Sequence, residues 1–161
     1  MVRIRLALMM AVLPIATGLA QQQHRGMKVA PDVAVRVYNL VGRIRVTGWD
    51  RDSIDVTAII PRGGGALFGG GAGRTAKLGV DGQDPSLNGP PSELEVMVPV
   101  NARIWIKSGT AAVVVSEVRG EVEVTSVTGS VSVSGAPRVV TIETIDGDVD
   151  LTGPMTVVRS R

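Results

Sequence analysis

The residues best placed to do chemistry are three aspartates in the run Ile145-Asp146-Gly147-Asp148-Val149-Asp150-Leu151. In an extended chain Asp148 and Asp150 project to one side, with Val149 between them facing the other way. Two carboxylates so spaced could share a calcium ion or act as an acid/base pair. Only one stretch carries them, so this is not a glycine-aspartate calcium repeat. The competing reading is a charged outer surface that keeps a β protein soluble. Other chemistry is poorly supplied. The chain has no Cys and one His, His24, which excludes thiolate and His-cluster metal sites. Ser126, Ser130, Ser132 and Ser134 have no recognisable base to activate them. The glycine run from Gly63 to Gly73 lacks the Lys-Ser/Thr of a phosphate loop, and no helical pattern follows it. No cofactor is expected.

The aspartates belong to a repeat, and the repeat dictates the elements that position them. The pattern is apolar-x-Gly-x-apolar-x-apolar. It occurs at Val118 to Val124 around Gly120, at Val127 to Val133 around Gly129, and at Ile145 to Leu151 around Gly147. Val140 and Ile142 fit the skipped copy, with Arg138 in place of glycine, and Val113/Val115 and Ile104/Ile106 extend the frame backwards. Six units of nine residues thus run from Val100 to Gly153. One copy, Leu40 to Val46 around Gly42, lies earlier and out of frame. A four-residue strand cannot bury an apolar face alone, but stacked copies can. The glycine supplies either a left-handed corner or a close backbone approach. The frame predicts an all-β protein, a short parallel β-solenoid with an N-terminal β cap. A β-sandwich or meander of short strands is the alternative. The 27 valines suit such a stack, and four aromatic residues suit its narrow interior.

Outward positions carry what remains for recognition. Trp105, Val114 and Val139 would form apolar patches on the outside, although Trp105 could instead be covered by N-terminal segments. Trp49 lies in a turn and is expected to pack over one end. If two units make one turn, Arg103, Glu121 and Val139 stack in a line.

Domain organisation follows from composition. Residues 1–20 have two arginines, an apolar run from Leu6 to Ala16 and small residues before Ala20, the layout of a secretory signal peptide. The run is well short of the roughly 20 residues that span a bilayer, so no membrane span is expected after cleavage. Residues 21–29 read as a polar tail, 30–60 as N-terminal β strands forming the cap, and 61–92 as a Gly/Pro-rich flexible loop. Leu67 and Phe68 are a small anchor or an exposed contact within that loop. Residues 93–161 form the repeat, which stops partway through a unit. The formal charge of +2 includes Arg3 and Arg5. A cleaved chain is neutral, which gives no case for nucleic acid. Its charge is unevenly placed: residues 25–51 are mostly basic and residues 117–153 mostly acidic.

The glycine-centred copies at Gly42, Gly120, Gly129 and Gly147 behind an export leader, with the stretch Leu94 to Pro99 leading into the repeat, resemble the bacterial putative-adhesin family of β-strand-repeat proteins. The resemblance covers roughly residues 30–161. It implies an exported, solenoid-like, non-catalytic interaction scaffold at the cell surface or in the periplasm, with a protein or glycan partner. Two alternatives stand beside it: a carbohydrate-active β-helix enzyme using Asp148 and Asp150, and a cell-envelope stress or signalling accessory. An open C-terminal edge would also allow end-to-end self-association.

Overall fold

The structure is a computed structural model that describes residues 20–155 and 157–160. It is all β, with no helix among the described residues. Fourteen strands are described: β1 (Gln21–Lys28), β2 (Ala34–Asn39), β3 (Gly42–Trp49), β4 (Ser53–Ile60), β5 (Ala66–Ala72), β6 (Thr75–Asp81), β7 (Ser92–Pro99), β8 (Arg103–Ser108), β9 (Ala112–Ser116), β10 (Glu121–Ser126), β11 (Val131–Ser134), β12 (Val139–Thr144), β13 (Val149–Thr152) and β14 (Val157–Ser160). They form two mixed seven-stranded sheets. The first runs β1-β4-β7-β3-β9-β11-β13 and the second β14-β12-β10-β8-β2-β6-β5.

From β8 onward, successive strands alternate between the sheets. β8 and β9 pair in parallel with β2 and β3, and from β10 each strand pairs in parallel with the strand two before it. Ile104 lies opposite Val122, and Val122 opposite Val140, a step of eighteen residues. Val113, Val131 and Val149 align in the same way in the first sheet. The apolar pairs of the first five nine-residue units face one core. Ile104, Ile106, Val113, Val115, Val122, Val124, Val131, Val133, Val140 and Ile142 are all buried. Each such side chain contributes about 1.5–3 kcal/mol when fully covered. The early copy that is out of frame in sequence is in register in space: Ile44 and Val46 of β3 lie opposite Val113 and Val115 of β9.

The corners explain the glycines. A Cβ on Gly120 would stand 1.9 Å from the Ala102 carbonyl oxygen, and one on Gly129 2.1 Å from that of Ala111. Close backbone approach, rather than a left-handed turn, fixes glycine at these positions and at Gly147, whose Cβ would meet the Gly129 oxygen at 2.5 Å. Gly42 combines both demands, with φ of 117° and the Ser92 oxygen 2.0 Å from an added Cβ. The corners are of two alternating kinds. Those leaving the second sheet carry a buried polar column: Ser108 Oγ donates to Ser126 Oγ at 3.1 Å, and Asn39 Nδ2 donates to the carbonyls of Arg43 and Ser92. Those leaving the first sheet carry a left-handed residue, Glu117 (φ 58°), Gly135 (φ 104°) and Gly153 (φ 117°).

Three expectations change. Residues 21–29 are no tail: β1 pairs antiparallel with β4 along its whole length, from Gln21 opposite Ile60 to Lys28 opposite Ser53. A polar edge strand is held by its backbone ladder and shows no apolar alternation. Residues 61–92 are not one loop, because β5 and β6 form an antiparallel hairpin within them. Ala76, Leu78 and Val80 of β6 are buried, an alternation hidden by the surrounding glycines. Residues 30–60 do not simply cover one end either. β2 and β3 sit inside the sheets, next to β8 and β9, and the far side is taken by β1, β4 and β7 in the first sheet and β5 and β6 in the second. Residues 1–19 of the expected leader lie outside the described residues.

Candidate interaction surface

Outward side chains of the second sheet line up in rows because the strands are in register. One row crosses Gly70 of β5, Lys77 of β6, Arg36 of β2, Trp105 of β8, Glu123 of β10 and Thr141 of β12. The next crosses Phe68, Gly79, Tyr38, Lys107 and Thr125. Three of the four aromatic residues therefore meet on one face. Tyr38 and Phe68 lean toward each other over Gly79, with ring centroids 6.3 Å apart and planes tilted by 39°. Gly79 is required there, since a Cβ would stand 2.2 Å from the Tyr38 carbonyl oxygen. The Lys77 ammonium sits 5.1 Å from the Tyr38 centroid and 5.7 Å from that of Phe68, within cation–π range.

Trp105 is half-buried. Its indole Nε1 donates to Glu123 Oε2 at 2.8 Å, which fixes the ring as a ridge between two grooves. One groove, about 420 Å³, has Arg36, Lys77 and Trp105 as walls and the small residues Gly70, Gly71 and Ala34 beneath. An added Cβ on Gly70 would touch nothing within 4 Å, so the floor is open. The other, about 230 Å³, lies between Tyr38, Trp105, Lys107 and Glu123. A half-covered indole beside hydrogen-bonding cations and a carboxylate can stack on an apolar ligand face and bond its polar rim.

The other sequence candidates are dispersed. Val139 is half-buried on the same face, two strands away, opposite Glu121. Val114 is half-buried on the first sheet, opposite Arg45 and Ser132. Asp146, Asp148 and Asp150 are exposed near the β13 edge. No group of three or more His, Asp or Glu able to hold a metal occurs among the described residues. His24, expected in a disordered tail, pairs with Asp55 at 2.8 Å. Trp49 closes the β3–β4 turn, donating to the Ser53 carbonyl with Arg51 over its ring. Phe68 lies in the face rather than on a loop. Arg36, Tyr38, Lys77 and Glu123 were not singled out in the sequence. The signal for two of them was present: Arg36 and Tyr38 are the outward positions of the alternation Val33-Val35-Val37.

No family model matches the chain, and no curated protein does. Two solved structures are similar. One is described as a putative cell adhesion protein from Clostridium sporogenes, 9% identical with a TM-score of 0.47, covering 88% of this chain and 100% of that one. The other is described as a putative adhesin from Parabacteroides distasonis, 12% identical with a TM-score of 0.34, covering 89% of this chain and 80% of that one.

Proposed function

We propose that this is an exported, non-catalytic, adhesin-like scaffold that binds a glycan partner through the outer face of its second sheet. The carrying observation is Trp105, half-exposed and pinned by Glu123 between two grooves walled by Arg36, Lys77 and Lys107. Sugar rings present an apolar C–H face to an indole, and their hydroxyls suit the flanking cations and carboxylate. The rigid strands hold that geometry in advance, so little ordering cost falls on binding. We read the parallel ladder from β8 onward as a two-sheet β-solenoid of eighteen residues per coil, and the leader as a cleaved export signal.

A glycan array followed by fluorescence titration tests the binding role. In a Trp49→Phe variant Trp105 is the remaining tryptophan, and a bound glycan is expected to shift or quench its emission. Hits that leave the emission unchanged, or an array without hits, would contradict the reading. A second reading, pairing with another copy, is favoured by the edge position of β13, where Val149 is 37% exposed. Light scattering across concentration tests it, and a constant monomer mass would remove it.

A further inference from the structure

The same sheet has a charged border at the start of its strands, and the way its turns stack creates it. Arg74 precedes β6, Arg103 opens β8, and Arg119 and Arg138 precede β10 and β12. The turns are tied to one another by backbone bonds. Arg103 N donates to Val33 O at 2.9 Å, Arg119 N to Val100 O at 2.7 Å, and Arg138 N to Gly120 O at 2.9 Å. Four guanidinium groups are thereby brought around one open cleft of about 570 Å³, together with Asp32 and Glu121. Neighbouring strands lie about 4.8 Å apart, so the row from β6 to β12 extends roughly 19 Å.

The four arginines are only partly neutralised. Arg138 binds Glu121, and Arg74 stands 3.8 Å from Asp32. Arg103 and Arg119 make no ion pair among the described residues. Arg103 is half-buried and shares β8 with Trp105, two residues away, so cleft and groove are one continuous surface. Guanidinium groups present planar, paired donors that match carboxylate and sulfate oxygens. The interspersed Asp32, Glu121 and Glu123 accept hydrogen bonds from hydroxyl groups, which an acidic polysaccharide offers beside its charged substituents and polyglutamate does not.

We propose that this border binds an anionic polysaccharide, with charged substituents held by Arg103 and Arg119 while a ring of the same chain stacks on Trp105. The inference rests on the glycan-binding reading and adds the charge class of the ligand. Binding is measured for the full chain with heparin, polygalacturonate, neutral dextran, polyglutamate and a DNA oligonucleotide, at low and high salt. Heparin or polygalacturonate is expected to bind at least tenfold tighter than the other three and to weaken with salt. The heparin and polygalacturonate arms separate sulfate from carboxylate recognition. Arg103→Gln and Arg119→Gln are each expected to lower that affinity about fivefold. Neither should change the melting temperature appreciably, because surface substitutions away from the core cost little. Equal binding of polyglutamate or DNA, no binding of either acidic polysaccharide, or unchanged affinity in the double arginine variant would overturn the proposal. If Trp105→Ala abolishes glycan binding while the arginine variants do not affect it, the glycan surface stands and the anionic ligand is removed.

Discussion

The two sheets share one core and the same inward residues, yet their outer faces differ in kind. On the first sheet Arg43 and Arg45 of β3 lie opposite Glu93 and Glu95 of β7, and the face continues through Val114, Ser132 and Asp150. Charges alternate in sign between β3 and β7 and the side chains beyond β9 are small or acidic, a pattern that suits solubility, while Ile59 of β4, opposite Glu93, is 42% exposed. On the second sheet Lys77, Arg36 and Trp105 share a row, Phe68 and Tyr38 share the next, and arginines line the border. The inward positions are mostly valines and isoleucines. The outward ones are where the two faces differ. On the proposed reading, fold and function occupy alternate residues of the same strands.

The sharpest way to break that comparison is to shift the frame. Deleting residues 119–136 removes one eighteen-residue step of the parallel ladder and returns every later strand to its own sheet. Deleting residues 119–127 removes half a step, which sends each later strand to the opposite sheet and mismatches both kinds of corner. The shorter deletion is expected to lose cooperative thermal unfolding, while the longer one keeps it. A folded half-step variant would contradict the register. A smaller effect separates the two sides of a single strand. Ile104→Ala, on the inward side of β8, should cost about 2–5 kcal/mol in denaturant unfolding. The neighbouring outward Trp105→Ala should cost clearly less. The smallest effect concerns a corner. Glu117 holds a left-handed conformation that Gly135 and Gly153 supply in the equivalent corners. Glu117→Gly should therefore stabilise the fold by about 1 kcal/mol, read as a raised denaturation midpoint.

Much of this was legible in the sequence, and the shortfalls have physical causes. The apolar pairs Ile104/Ile106 through Val140/Ile142 marked the inward positions, because a buried face imposes a strict alternation. The same pairs concealed the true period. They recur every nine residues, whereas the corners recur every eighteen: Ser108 and Ser126 at one kind, Glu117, Gly135 and Gly153 at the other. Corners differ because the chain turns into a different sheet each time, and counting apolar residues alone cannot register that. β1 was missed because an edge strand needs no apolar side. β5 and β6 were missed because Gly71 and Gly79 mark tight packing rather than a loop; added Cβ atoms there would come within 2.5 Å and 2.2 Å of backbone oxygens. Of the surface, Trp105 was legible as an outward residue. Its company was not, since Phe68, Lys77 and Arg36 come together through the pairings β5–β6, β6–β2 and β2–β8.

The central proposal is that the outer face of the second sheet carries binding and that of the first does not. Affinity for the same glycan, measured by calorimetry for Trp105→Ala and for Val114→Ala, tests it with one outward change on each sheet. The account predicts at least a tenfold loss for Trp105→Ala and no change for Val114→Ala. Equal losses, or a loss confined to Val114→Ala, would contradict it.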